Sequence, residues 1–219
     1  MSKDIFCITI SFIYWCSIIK ISPYIVQFNH ELGRKFVHLF VSFWWFFVLY
    51  MFNNLWSALV VPVVFIAINT HATFNSKSGF VSTLNREKEN ISYGLICYPI
   101  GFVIIILAAF FLFEQKDIAG LAVMTMGFGD TGAAIIGNRF NWKPFTIKGS
   151  KKSLSGVVGM FAFTFLSTLI YSLVYSYKSP LVVAIACGLV GCIIEAISIK
   201  GSDNITVPLS IIILSLLIL

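Results

Sequence analysis

The chain has 219 residues, 58% of them hydrophobic and only 11% charged, whereas soluble domains carry about a quarter charged residues. That composition excludes a soluble globular protein and leaves a polytopic membrane protein. The net charge of +6 does not point to nucleic acid, since no soluble basic domain remains to track a backbone; anionic lipid headgroups and nucleotide phosphates are the natural partners.

A membrane crossing needs roughly 20 mostly apolar residues. In chain order, eight segments qualify, at about 5–25, 36–52, 55–70, 91–113, 118–137, 156–176, 180–199 and 205–219, the third and last being short. The expected fold is all-α, a polytopic integral membrane protein of about eight transmembrane helices, with 1–219 as a single transmembrane domain. The longest polar stretch, about 71–90, reads as a loop, and His71, Asn69, Asn75, Arg86 and Glu87 are assigned to it. The first segment reads as a retained helix, because Ile19 to Pro23 offers no small-residue cleavage site. Cys7, Cys16, Cys97, Cys187 and Cys192 lie in apolar segments and form no CxxC pair. They read as small buried apolar residues.

Assigning the loops alternately to two sides puts twelve of the fifteen basic residues on one side. Only Lys3, Lys116 and Lys178 fall on the other. Because Lys and Arg accumulate in cytoplasmic loops, the expected topology has both termini outside. The loops at 26–35, 71–90, 139–155 and 200–204 are then inside, and the active face is cytoplasmic.

Four constellations sit on that face. The first is Glu31, Arg34, Lys35 and His38, which share one face at helical spacing. Arg34 and Lys35 suit a phosphate, or simply an interfacial anchor. Glu31 would orient Arg34 or bind a metal, and His38 lies inside the apolar run. The second is Gly127 to Gly137, with four glycines in eleven residues around Asp130. Small residues let membrane helices pack closely, which accounts for Gly132, Ala133 and Gly137. Packing does not account for Asp130, a carboxylate within a crossing and so a functional candidate by default.

The third constellation is basic: Arg139, Lys143, Lys148, Lys151 and Lys152, with Ser153, Ser155 and Gly156 before a helix start. Lysine charge and the N–H groups of a helix N-terminus can surround phosphates. The pattern is not a Walker A loop, since GxxxxGK[ST] is absent. The fourth is Glu195 with Lys200, Asp203 and Asn204, followed by Pro208. Asn204 reads as a helix cap. Asp203 reads as a metal ligand or catalytic group, and acids converging with Asp130 would form an oxygen-ligand site suited to Mg²⁺.

The ordered set resembles the polyprenol kinase family, which includes dolichol kinases, phytol kinases and CTP-dependent diacylglycerol kinases. The matching pieces are Glu31-x-x-Arg34-Lys35-x-x-His38, Gly129-Asp130-Thr131-x-Ala133-Ala134-x-x-Gly137, Lys151-Lys152-Ser153-x-x-Gly156, and Glu195 followed by Asp203-Asn204-x-x-x-Pro208. The likeness runs from about 31 to 210. It implies phosphorylation of a membrane-embedded alcohol, an isoprenoid alcohol or diacylglycerol, with CTP as donor and Mg²⁺ or Mn²⁺ as cofactor. The family is also distantly similar to phosphatidate cytidylyltransferases, but the His-containing C-terminal signature of those enzymes is missing after Asp203-Asn204. Ser155 stands where many relatives carry Glu or Ala.

Phosphoryl transfer is mostly positioning and charge neutralisation. On the resemblance, Asp130, Asp203 and Glu195 are the expected metal ligands, and Asp130, Asp203 and Lys152 the catalytic groups, with Asp130 either ligand or base. Arg139, Lys143, Lys148, Lys151, Lys152, Ser153, Arg34 and Lys35 are the expected phosphate contacts. Glu31, His38 and Asn204 orient substrate. Two alternatives remain: a cytidylyltransferase that makes a CDP-activated lipid, and a non-enzymatic transporter with a midplane site.

Overall fold

A computed structural model describes residues 2–26, 30–74, 93–147, 149–199 and 201–219. The protein is an all-α, polytopic membrane protein. Among the described residues, six helices are long and apolar enough to cross a membrane: Lys3–Ile25, Leu55–Phe74, Gly94–Phe111, Lys116–Phe140, Leu154–Val174 and Pro180–Ile197. The expected eighth segment is the shorter apolar helix Asp203–Ile218. The expected second crossing is not one helix but two.

That broken element is α2 (His30–Ser42) followed by α3 (Trp45–Met51). At the break, the N–H groups of Phe43 and Trp44 bond three residues back, to the carbonyls of Phe40 and Val41. The Ser42 hydroxyl bonds the His38 carbonyl at 2.9 Å, and the Tyr98 hydroxyl donates to the same oxygen. Ser side chains that bond back four residues bend helices, and here a second donor competes for that carbonyl. Helix α1 (Ser2–Val26) packs on α2, and α4 (Leu55–Phe74) on α5 (Gly94–Phe111). An aromatic cluster of Trp15, Trp44, Phe65 and Phe102 ties these helices together, with ring centroids 4.6–5.9 Å apart. Asn69 and His71 lie within α4, not in a loop; Asn69 donates to the Leu95 carbonyl at 2.8 Å. Asn75, Arg86 and Glu87 lie outside the described residues.

The run Lys116–Phe140 is the central helix. Some 78% of its most apolar window is buried, against 28–56% for the other five candidate spans. It begins with a 3₁₀ turn (Lys116–Ala119) and α6 (Gly120–Met124), passes through a π-helical turn (Thr125–Gly129), and continues as α7 (Asp130–Phe140). Wide π turns inside α-helices are rare and occur often at functional sites. Glycines permit this one. A methyl group on Gly127 would occupy the place of the Ser42 hydroxyl, and one on Gly129 that of the Thr164 hydroxyl. The turn delivers Asp130 to the start of α7, facing α2.

After α7 the chain reverses through Asn141 and Lys143, both at positive φ (41° and 46°). It then forms a β-hairpin, β1 (Pro144–Ile147) with β2 (Ser150–Ser153), antiparallel with Phe145 opposite Lys152 and Thr146 opposite Lys151. This hairpin lies in the stretch 139–155 expected to be a loop. Gly149, at φ +80°, serves its tight turn. Helix α8 (Leu154–Val174) returns against α7. Gly156 and Gly137 face each other there, and Gly159 sits against the Gly132 carbonyl, so these glycines do pack helices closely. Helices α9 (Pro180–Ile197) and α10 (Asp203–Ile218) complete the bundle. Gly201 joins them at φ +82°, and a Cβ there would lie 2.6 Å from the Gly94 nitrogen.

Candidate functional site

The helix ends at one end of the bundle enclose a cleft of about 900 Å³, within the range of small-molecule sites, roughly 300–1,000 Å³. Its walls come from α2, the start of α5, α7, the hairpin, the end of α9 and the start of α10. These are the elements bordering the four loops expected on the basic side. Arg34, Lys35, His38, Asp130, Lys151, Lys152, Ser153, Glu195, Asp203 and Asn204 all line it. Residues more than 150 positions apart in the chain therefore share one space.

Asp130 is at its floor, with 8% of its surface exposed. Lys35 of α2 donates to Oδ1, and His38 Nδ1 lies 3.2 Å from Oδ2. Positions 35 and 38 are one helical turn apart, so α2 presents both groups to one carboxylate. The His38 ring stacks on Tyr98 of α5 at 4.0 Å between centroids, and the Tyr98 hydroxyl also meets Ser42 at 2.8 Å. Tyr98 and Ser42 thus fix the backbone and ring of His38. The sequence reading missed both. The available signal was that a buried tyrosine hydroxyl in an apolar helix needs a partner.

A lone charge at this depth is costly, and removing one member of a buried pair typically costs about 3–5 kcal/mol. Asp130→Asn should therefore lower the thermal unfolding midpoint in detergent by leaving Lys35 unpaired. Asp130→Asn combined with Lys35→Met should recover part of that loss. Equal midpoints for wild type and the single variant would contradict the pairing.

The second pair crosses from the hairpin to α9. Lys152 donates to the Glu195 carboxylate and, at 2.6 Å, to the Glu195 carbonyl. That carbonyl also accepts from the Ser198 N–H at 3.2 Å, where α9 ends. Lys151 stays exposed on the cleft rim. Ser153 caps α8, accepting from the Gly156 N–H at 3.1 Å, and its hydroxyl lies 3.0 Å from that of Ser155. Ser155 in turn accepts from the Trp142 N–H at 3.1 Å, which anchors the chain entering the hairpin.

Asn204 does not cap α10, contrary to expectation. Its side chain reaches across to the Gly94 carbonyl at 3.3 Å, and the residue is buried. Ser202 holds the cap position, with no side-chain capping bond. Asp203 opens α10, half-buried, its Oδ1 accepting from the Asn204 N–H at 3.1 Å. Asp130, Glu195, Asp203 and Asn204 together border a small niche of about 10 Å³ below the cleft. Their oxygens suit a hard divalent cation, and Met126, Met160 and Val207 complete the niche. Among the described residues, no three acidic, His or Cys groups are assembled into a ready cage.

The remaining expected contacts divide. Arg139 and Lys143 are exposed and do not line the cleft; Lys143 lies over the Trp142 ring, 5.0 Å from its centroid. Their neighbours Asn138, Asn141 and Pro144 do line it, so the stretch borders the cleft while these two side chains lie off it. Lys148 lies outside the described residues, as does the side chain of Glu31 on α2.

The chain is 30% identical over 121 residues to a phytol kinase of a Synechocystis strain. That match covers 54% of this chain and 51% of the relative, so the chain spans about half the length of the curated relative it matches. The similarity agrees with the resemblance that the motifs carry to the polyprenol kinase family. No protein-family model matches, and no solved structure matches significantly. The family likeness and the cleft rest on separate grounds, one on residue identity and the other on where the fold gathers acids and lysines.

Proposed function

We propose that this protein is a lipid-alcohol kinase that transfers the terminal phosphate of a nucleoside triphosphate, CTP by resemblance, to the hydroxyl of a membrane-embedded isoprenoid alcohol or diacylglycerol. The observation that carries the reading is the gathering of Lys35, Lys151 and Lys152 with Asp130, Glu195 and Asp203 in one cleft at the end of a membrane bundle. The phytol kinase likeness supports the same reaction class.

In this proposal the triphosphate lies against Lys151, Lys152, Arg34 and Lys35, over the N-terminus of α8. The lipid tail stays in the bilayer and presents its hydroxyl at the cleft floor. The alcohol oxygen bonds to the terminal phosphorus as the bridging P–O bond breaks, and the diphosphate leaves. The hydroxyl proton passes to the Asp130–His38 pair, whose geometry Tyr98 and Ser42 hold. Asp203 and Glu195 would hold Mg²⁺ or Mn²⁺, joined by Asp130 only where His38 alone takes the proton, and the ion when bound would neutralise phosphate charge. Lysine charge placed against the phosphates adds to that stabilisation.

The deciding experiment supplies CTP labelled at either the α or the γ phosphate to the protein in lipid. Label entering lipid from the γ position is the expected result. Label from the α position would make the protein a cytidylyltransferase instead, and label from neither position would favour the transporter.

The active face is placed in the cytoplasm, with both termini opposite, on the grounds of the twelve basic residues on that side. A cysteine introduced at position 145 of the hairpin should be protected from an impermeant thiol reagent in intact cells and react once the cells are opened. Labelling in intact cells would reverse the orientation.

A further inference from the structure

Two lysines close the acidic groups against each other's use. Asp130 holds Lys35, and Glu195 holds Lys152, with both pairs largely buried. The niche shared by Asp130, Glu195 and Asp203 is about 10 Å³, room for about one water and not for a hydrated cation; the same three acids also line the cleft, where Lys35 and Lys152 occupy two of them. The same two lysines line the larger cleft above. Each lysine therefore stands between an anion it already has and the space where a more highly charged anion would lie.

We infer that Lys35 and Lys152 are exchangeable counter-ions, bound to Asp130 and Glu195 in the empty protein and to phosphate oxygens when a nucleotide enters, so that the carboxylates open to a divalent cation only with the nucleotide present. The inference rests on the kinase reading of the cleft. Its physical basis is charge balance. A triphosphate brings several negative charges into a cleft where two of the lysines, Lys35 and Lys152, are already neutralised in pairs. Lysine is suited to the exchange because its ammonium is a compact point charge on a flexible stem, whereas an arginine fork would be fixed more rigidly to one carboxylate. Lys152 is the less buried of the two, its side chain 13% exposed against 7% for Lys35. The arrangement also keeps unpaired acids out of a low-dielectric floor between turnovers.

The test is binding of Mn²⁺ alone to the full chain in detergent, read from the loss of the free-ion electron paramagnetic resonance signal. Wild-type protein should bind Mn²⁺ weakly without nucleotide. Lys152→Met should release Glu195 and tighten Mn²⁺ binding by about 10- to 100-fold, the size of change that altering a ligand's hydrogen-bonding partner produces. Adding Glu195→Gln to Lys152→Met should abolish the gain. Lys35→Met provides a second release, at Asp130, with folding checked by thermal midpoint. Wild-type protein that binds Mn²⁺ as tightly as Lys152→Met would overturn the inference, as would folded lysine variants that bind no better than wild type. Neither result touches the kinase reading, which stands or falls on γ-phosphate transfer.

Discussion

Replacing Asp203 with Asn is expected to lower kcat by roughly 10²–10³-fold, the several kcal/mol that stabilisation of phosphoryl charge by a held cation supplies, while the protein stays folded. The reason for choosing Asp203 over the other acids is structural. Asp130 and Glu195 each balance a buried lysine, so their removal disturbs packing as well as chemistry. Asp203 is half-buried at the first turn of α10, and its described hydrogen bond is to the N–H of its own neighbour, Asn204. An Asn side chain can keep that bond through its carbonyl oxygen. What it cannot keep is the negative charge. Steady-state kinetics beside a thermal melt in one detergent separates the two effects. An unchanged kcat in the folded variant would remove Asp203 from the chemistry. A matched loss of kcat and of melting midpoint would make it structural.

The membrane class and the polar end of the bundle were legible in the sequence because burial in lipid is a compositional demand. Asp130 and His38 stood out as ionisable groups inside apolar runs, and Arg34, Lys35 and His38 could be placed on one face by helical spacing alone. What could not be read was which anion each cation meets. Lys35 and Asp130 are 95 positions apart, and Lys152 and Glu195 are 43 apart. Neither pairing leaves a local trace. The hairpin was missed for a related reason: four-residue strands carry too little alternation to register beside long apolar helices. Its one sharp signal, Gly149 after Lys148, reads equally well as a loop. Asn204 looked like a cap because its position in the chain suits one, yet the fold turns its amide toward Gly94. The break between α2 and α3 was also hidden, since it depends on Tyr98 arriving from another helix to bond the His38 carbonyl.

Charge alone made five basic residues of the 139–152 stretch look equivalent, and the fold separates them in a way that kinetics can check. Lys151→Ala and Lys152→Ala should each lower kcat by about 10²-fold or more, comparable to losing one well-placed electrostatic donor. Both residues line the cleft. Arg139→Ala and Lys143→Ala should change kcat little, because both side chains lie off it; at most they weaken attraction to an anionic membrane surface, worth about 1 kcal/mol per basic residue. Lys152 differs from Lys151 in one further respect, since it also holds the end of α9 through the Glu195 carbonyl and carboxylate. Lys152→Ala should therefore lower the melting midpoint as well, and Lys151→Ala should not. Lys152→Arg restores the charge but not the compact geometry, so it should recover stability more fully than rate. If all four alanine variants lose the same small amount of activity, the stretch is an inside-facing anchor and the cleft has lost its phosphate site. If Arg139 and Lys143 prove as costly as Lys151 and Lys152, the triphosphate extends beyond the cleft, over the turn at Asn141 and Lys143, and the hairpin must fold back across it.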